Sequence, residues 1–506
     1  MNGVKELKSE STELPDCVIS HIFSMLTLKN LVKTSALSKQ WYHQWGLKKN
    51  LNFDLHNLLD YNTIPELPIT LPLFQHLQSQ FAASLDNFMQ TYPGDTIRSI
   101  RVDFPLGADH TYAIDGLIHK AVLKGASRIH LLFAYKTDIK IEPCKPNLKG
   151  KPYTFLFPFF SCPNSLTYLH LQRCHIAPTM KFSGLKNLRT LVLTLLSVGQ
   201  NVLQDLCFSC IHLKNFTLNE CNFLSDLKIT SPTLLHLNIY YERIRRTRSR
   251  NIDIIALNLL SFKYSSGYLS HLLHKVKINS HMLSKLTYRC ARILNLEFPG
   301  LPNVKTIVLD GLREDDDITH LFSKCLQLED VTIKMCWIMR DLKINSARLR
   351  HFRILHCFHL SYRPCKIDIH ALNLSSFECR GYKQMRSIIS LEAPKLLKVS
   401  WEAGFNKINL YNFATIAKLH HPENLTMPMS LPQVENLPMH MSLSQISELM
   451  KEYLARSGKL RQLELYIAGA YNPNMDYFWI LDIAMASQHL QKLSLTVSYS
   501  TQRQSP

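Results

Sequence analysis

Glycine is scarce, with 16 in 506 residues. That excludes collagen-like repeats and glycine linkers, and no Walker or dinucleotide glycine spacing occurs. Charge is also low: at 19% charged and 46% hydrophobic residues, the chain is too apolar to be disordered and has enough material for a packed interior. Long apolar runs are missing. No stretch approaches the about 18 uninterrupted apolar residues of a spanning helix, and the most apolar short run, Phe155 to Phe160, is broken by Pro158. The opening MNGVKELKSESTELPD has no apolar h-region, so neither a signal peptide nor a membrane attachment is expected. A cytoplasmic or nuclear location follows, where the 13 cysteines are expected as reduced thiols. Motifs for chemistry are absent too. The 23 histidines are scattered, with no H-E-x-x-H and no triad setting. Cys207-x-x-Cys210 is the one close thiol pair and lacks a second pair or a histidine at zinc spacing. No catalytic residue, metal or cofactor is expected.

What is present in excess is positive charge: 58 Lys and Arg against 39 Asp and Glu, a net +19. This favours acidic proteins, nucleic acid or phosphate as partners without choosing among them, and plain solubility accounts for it as well. The excess is densest at Arg243, Arg245, Arg246, Arg248 and Arg250. That run reads as a solvated loop, a nuclear-import signal or a contact loop for an acidic partner. No aromatic interleaving or nucleic-acid fold accompanies it, which disfavours nucleic acid.

The dominant pattern is a repeat, L-x-x-L-x-L. It begins clearly at Leu166/Leu169/Leu171 and continues at Leu188/Leu191/Leu193, Leu213/Phe216/Leu218, Leu234/Leu237/Ile239 and Leu259/Phe262/Tyr264. It resumes from Val304/Ile307/Leu309 through Leu396/Val399/Trp401, and again at Leu460 and Leu490. Neighbouring starts within these runs lie 21 to 25 residues apart, inside the leucine-rich-repeat range. A longer period is superimposed: Asp226-Leu227-Lys228-Ile229 returns 115 residues later as Asp341-Leu342-Lys343-Ile344, and Ile252-Asp253-Ile254 returns as Ile367-Asp368-Ile369. Each unit predicts one short strand, and stacked units predict a curved solenoid with a parallel sheet. Residues between the apolar positions, such as Tyr168, His170 and Gln172 or Asp330, Thr332 and Lys334, should line its concave face. Recurring cysteines at fixed offsets from the leucines (Cys162, Cys210 and Cys325 before, Cys174, Cys221, Cys336 and Cys357 after) read as small buried repeat residues.

Before the repeats, residues 55–80 hold repeated Pro-flanked breaks and read as loop, with a helix from Phe81 through Met89 and strands at 96–104 and 128–133. Residues 421–441 read as a Pro- and Met-rich inserted loop, followed by a helix from Ser442 to Gly458.

Residues 14–45 differ from all of this. Pro15 and Asp16 suit a helix start, and Val18, Ile19, Ile22, Phe23 and Leu26 recur at helical steps. Thr27 suits the N-cap of a second helix carrying Leu28, Leu31, Val32 and Ala36, and Ser38 that of a third bearing Trp41 and Trp45. Three short helices cannot bury so much apolar surface among themselves, so the module is equally a cap on the first repeat or a docking surface.

Leu14-Pro15-Asp16, Ile22-Phe23-Ser24-x-Leu26, Leu31-Val32-x-Thr34-Ser35 and Leu37-Ser38-Lys39-x-Trp41-x-x-x-Trp45 resemble the F-box of plant F-box/leucine-rich-repeat proteins. Gln40 and Tyr42 depart from basic residues common in that family without touching the apolar pattern. The resemblance implies an α/β protein: a three-helix F-box over residues 10–50, a linker and array cap over 51–95, and a leucine-rich-repeat solenoid over 96–500. It implies binding to a Skp-type adaptor and, through it, to a cullin and a RING protein. The positions matching the docking pattern are Leu14, Pro15, Ile19, Ile22, Leu26, Val32, Leu37 and Trp41, while Trp45 is free to close the module onto the repeats. The implied function is that of a non-catalytic substrate-recognition subunit of an SCF-type ubiquitin ligase, with an unknown target protein on the repeats. A repeat scaffold for an anionic ligand or nucleic acid, without ligase function, is the alternative.

Overall fold

Each L-x-x-L-x-L segment becomes one short strand. The computed structural model describes residues 15–34, 36, 41, 45–59, 69–134, 141–142, 150–155, 165–177, 182–222, 226–241, 250–267, 273–290, 296–297, 299–312, 318–337, 341–358, 365–381, 387–402, 422–430, 448, 451–452, 459–468, 481, 485 and 489–498. In the strand Tyr168–Gln172, Leu169 and Leu171 are fully buried while Tyr168, His170 and Gln172 alternate to the other face.

The chain divides into two units, residues 1–234 and 235–506. In the first, the strands Asn50–Asp54, Ser99–Asp103, Arg128–Leu132, Tyr168–Gln172, Thr190–Thr194 and Asn215–Asn219 pair in that order, parallel and in register. In the second, the same arrangement runs from His236–Tyr241 through Ser261–Ser266, Lys285–Arg289, Thr306–Asp310, Asp330–Lys334, His351–Cys357, Ser376–Gly381, Lys398–Glu402, Asn424–Ser430 and Gln462–Ala468 to Lys492–Ser498. Register follows from burial: a slip of one residue would turn every apolar side chain to the solvent face. Buried Leu, Ile and Phe side chains contribute about 1.5–3 kcal/mol each. Shorter parallel ladders use the 115-residue repeat. Leu227–Thr230 and Leu342–Asn345 bury the Leu and Ile of the D-L-K-I copies, and Cys365–His370 pairs with Ser387–Glu392. Among the described residues, no helix is long and apolar enough to cross a membrane.

The recurring cysteines have a structural explanation. The residue after several strands is left-handed: Arg173, Leu195, Glu220 and Met335 have φ of 50 to 56°, Gly311 occupies the same corner at 77°, and His356, at a register shift near the end of His351–Cys357, has φ of 53°. For a residue with a side chain this costs about 1–2 kcal/mol. Backbone bonds offset it, with the Arg173, Leu195 and Met335 N–H groups donating to carbonyls of the next strand at 2.8–2.9 Å. The next residue is often a buried cysteine whose thiol donates back, as Cys221 does to Leu193 O at 3.2 Å and Cys336 to Lys334 O at 3.1 Å. A small side chain with a weak donor suits this corner.

Four features depart from the sequence reading. The array begins at Asn50, because Leu51 and Phe53 are buried in a strand paired with Ser99–Asp103. The stretch read as loop to residue 80 contains a helix, Leu71–Thr91, whose Pro72 is accommodated in the first turn. A repeat at Leu283/Leu286/Tyr288, outside the sequence pattern, forms Lys285–Arg289 and ends on a buried tyrosine, as Leu259/Phe262/Tyr264 does. The expected insertion opens with the strand Asn424–Ser430, a repeat in which buried Pro422 stands for the first leucine and Leu425 pairs with Val399 and Leu463. Residues 431–441 and most of the expected helix from Ser442 to Gly458 lie outside the described residues; Glu448, Lys451 and Glu452 are helical.

Burial pushes the thiols of Cys207, Cys210, Cys325 and Cys379 up to about 12 and that of Cys221 up to about 11, whereas Cys17 is exposed. In native chain treated with iodoacetamide at mildly alkaline pH, peptide mass spectrometry should find Cys17 alkylated ahead of Cys207, Cys210, Cys221, Cys325 and Cys379. The five buried thiols should react only on unfolding; labelling at the rate of Cys17 would contradict their burial.

Candidate functional site

The N-terminal helices sort their apolar residues onto two faces. The helix Asp16–Met25 starts after Pro15, whose carbonyl accepts from Val18 and Ile19 N–H at 2.9 and 3.1 Å. Ile19 and Phe23 turn inward, at 2% and 0% exposure, as do Leu28 and Leu31 of the helix Leu28–Thr34. Thr27 caps that second helix as expected, its Oγ1 accepting from Asn30 N–H at 3.3 Å. On the other face Pro15, Val18, Ile22 and Met25 follow at steps of three, four and three residues, with Val18 40% and Met25 69% exposed.

The docking positions expected from sequence therefore separate. Pro15 and Val32 are exposed, and Ile22, Leu26 and Trp41 are partly exposed. Ile19 belongs to the module's interior, so it supports the surface from behind instead of lining it. Leu14 and Leu37 lie outside the described residues. Val18 and Met25 were missed as surface positions, although the helical steps to Ile22 place all three on one face.

A second set of contacts joins the module to the first repeat. The buried Trp45 meets Phe88 and Tyr92 edge-to-face at 5.3 and 5.5 Å. The Tyr92 hydroxyl lies 2.9 Å from Gly46 O and 3.0 Å from Lys48 O. Backbones meet so closely here that a Cβ on Gly46 would lie 2.6 Å from Gly94 N. The Lys48 ammonium closes the first helix, donating to Phe23 O at 3.0 Å and Leu26 O at 2.6 Å. Its burial lowers its pKa, the charge being held among carbonyl oxygens. Sequence reading assigned nothing to Lys48 or Tyr92, because neither is recognisable without the fold.

On the repeats, the sheet's polar face in the first unit brings Arg101, His130 and His170 side by side on adjacent strands, with Arg128 next to Tyr168 in the neighbouring column. The His130 ring lies 4.6 Å from that of Tyr168 and 6.1 Å from that of His170, whose Nε2 is 3.2 Å from Thr194 Oγ1. Burial, reinforced for His130 by Arg101 and Arg128 and for His170 by His130 and Arg101, lowers both imidazoles to about 4. Arg243, Arg245, Arg246 and Arg248 lie outside the described residues, and Arg250 begins the strand Arg250–Ile255. Cys207 and Cys210 are buried; among the described residues no group of three or more His, Cys, Asp or Glu could hold a metal.

Two outcomes follow. Trp45→Ala should destabilise the chain by about 3–5 kcal/mol, and Met25→Ala by no more than about 0.5 kcal/mol, in denaturant unfolding. The histidines set a pH dependence. In the unfolded chain they titrate near 6.5, above their folded value of about 4, so the unfolded state binds more protons between these values. Their contribution is complete above pH ~6.5 and is lost as pH falls toward ~4. Melting between neutral pH and pH ~5 should show stability falling, and replacing both by Asn should flatten that slope.

Comparison with known proteins matches the family described as At1g61320/AtMIF1, LRR domain, over residues 89–315 and 312–506, and the F-box domain over residues 11–52. Among curated relatives, all from Arabidopsis thaliana, the F-box/LRR-repeat protein At2g42730 is 24% identical over 332 residues, 63% of this chain and 66% of that protein. The F-box/LRR-repeat protein At5g02910 is 23% identical over 437 residues, 76% of this chain and 85% of the relative. The F-box/LRR-repeat protein At3g26922 is 26% identical over 246 residues, 47% and 69%. The match thus spans just under two thirds of the length of the first of these.

Proposed function

The chain belongs to the family of F-box proteins with leucine-rich repeats, and from that premise we propose that it is the substrate-recognition subunit of an SCF-type ubiquitin ligase. The observation that carries the reading is the stripe Pro15, Val18, Ile22 and Met25, apolar and turned away from the side on which the helix buries Ile19 and Phe23. An amphipathic helix with an uncovered apolar face docks in a groove, here that of a Skp-type adaptor. Through the adaptor the chain reaches a cullin and a RING protein, in the cytoplasm or nucleus. The part around residues 10–50 serves this contact, with Leu26, Val32 and Trp41 at its margin and Ile19 holding its shape. The repeats hold a target protein. The chain itself performs no bond chemistry; it raises the effective concentration of the target beside the charged conjugating enzyme.

The test is adaptor binding by the full chain carrying Val18→Asp and Met25→Asp. Burying two unpaired carboxylates at a docked face should weaken binding at least ~100-fold, with melting temperature unchanged because both sites are exposed. Ile19→Asp should lower both affinity and melting temperature. Wild-type adaptor affinity in the double variant would sink the assignment.

A further inference from the structure

We infer that the sheet face formed by Arg101, Arg128, His130, Tyr168 and His170 receives an oxyanion, a carboxylate or phosphoryl group carried by the target polypeptide. This rests on the reading that the repeats hold the target, and it names the chemistry of one contact.

The residues lie on three adjacent, in-register strands, Ser99–Asp103, Arg128–Leu132 and Tyr168–Gln172. Neighbouring strands are about 4.8 Å apart, so one oxyanion can reach side chains of two strands together. Charge is unbalanced there. Arg101 and Arg128 are exposed on these strands, which carry one carboxylate, Asp103, with Asp54 beside it on the adjoining strand engaged by Asn52 and Asn57. Arg101 bonds Asp103 at 2.8 Å, but its side chain is 44% exposed, and an exposed pair of this kind is readily exchanged for another acceptor. Arg128 has no ion-pair partner among the described residues. Its guanidinium lies close enough to act electrostatically on both His130 and Tyr168.

The floor beneath these cations is half-buried and ordered. His130 lies against Tyr168, and His170 is fixed by Thr194, itself 5% exposed. A low-dielectric floor strengthens the attraction of a guanidinium for an anion. The groups facing the two imidazoles are Arg101, Arg128, Tyr168 and Asp103, so cations outnumber the carboxylate. A bound oxyanion supplies the missing counter-charge. It should raise the proton affinity of both imidazoles, and by linkage their protonation should tighten the anion.

The experiment follows the histidine resonances of the full chain during titration with inorganic phosphate and, separately, acetate. Saturable shifts confined to His130 and His170, absent from His236 and His351 on strands of the second unit, are expected at millimolar anion, with the His130 and His170 titration midpoints moving up. Stronger binding of phosphate points to a phosphoryl group on the target, and stronger binding of acetate to a carboxylate. Arg128→Gln and Arg101→Gln should each weaken binding about tenfold, one charge-assisted hydrogen bond's worth, with unchanged melting temperature and unchanged adaptor affinity. The inference is overturned if no saturable shift occurs, if Arg128→Gln binds anion like wild type, or if oligo-dT engages these residues more tightly than either anion. Because adaptor affinity is read in the same variants, failure here is distinct from failure of the ligase assignment.

Discussion

A repeat coil cannot bury its own apolar side, so every strand of the array needs a neighbour. Among the described residues, the first strand, Asn50–Asp54, has Ser99–Asp103 paired to it on one flank. Its other side meets the helix Leu28–Thr34, and just before it Trp45 is locked between Phe88 and Tyr92. The N-terminal module is therefore structurally a lid on the array before it is anything else. Its inner residues, Ile19, Phe23, Leu28 and Leu31, are buried.

This arrangement leaves an outer face with no structural duty. Pro15, Val18 and Met25 are apolar at exposed positions, with Ile22 partly exposed between them. Capping and docking, which composition alone could not separate, can be served by different sides of the same helix, the outer side being the one proposed for docking. The rigidity of the inner side, fixed by an indole, a tyrosine hydroxyl and the Lys48 ammonium, gives the outer side a defined direction relative to the first repeat. In the proposed role, holding two partners near each other, that direction matters as much as affinity.

Much of the fold was legible because leucine-rich repeats encode each strand locally: Leu169 and Leu171 predict their strand without reference to anything distant. One strand that escaped notice is that in which Pro422 stands for the first leucine; the repeat ending on Tyr288 has no such excuse, since Tyr264 ends a recognised one. The helix Leu71–Thr91 was hidden by prolines that break a helix in its interior but are tolerated in its first turn. The candidate site was half legible. A resemblance to a docking pattern names positions but not their exposure, and Ile19 and Val18 are neighbours in sequence with opposite fates. Lys48 and Tyr92 act through backbone carbonyls brought together only by folding, and no sequence spacing announces them. The cluster of Arg101, His130 and His170 was equally invisible, since three strands at unequal spacing must first be set in register.

The central claim is that the outer face of the first helix, and not the repeat sheet, is the adaptor surface. Hydrogen–deuterium exchange of the full chain with and without a Skp-type adaptor tests it directly. Slowed exchange on adaptor binding should be confined to residues 15–34 and the segment to Trp45, with the strands from Tyr168 onward unchanged. Protection of the repeat strands, with residues 15–34 exchanging as in the free chain, would contradict the account.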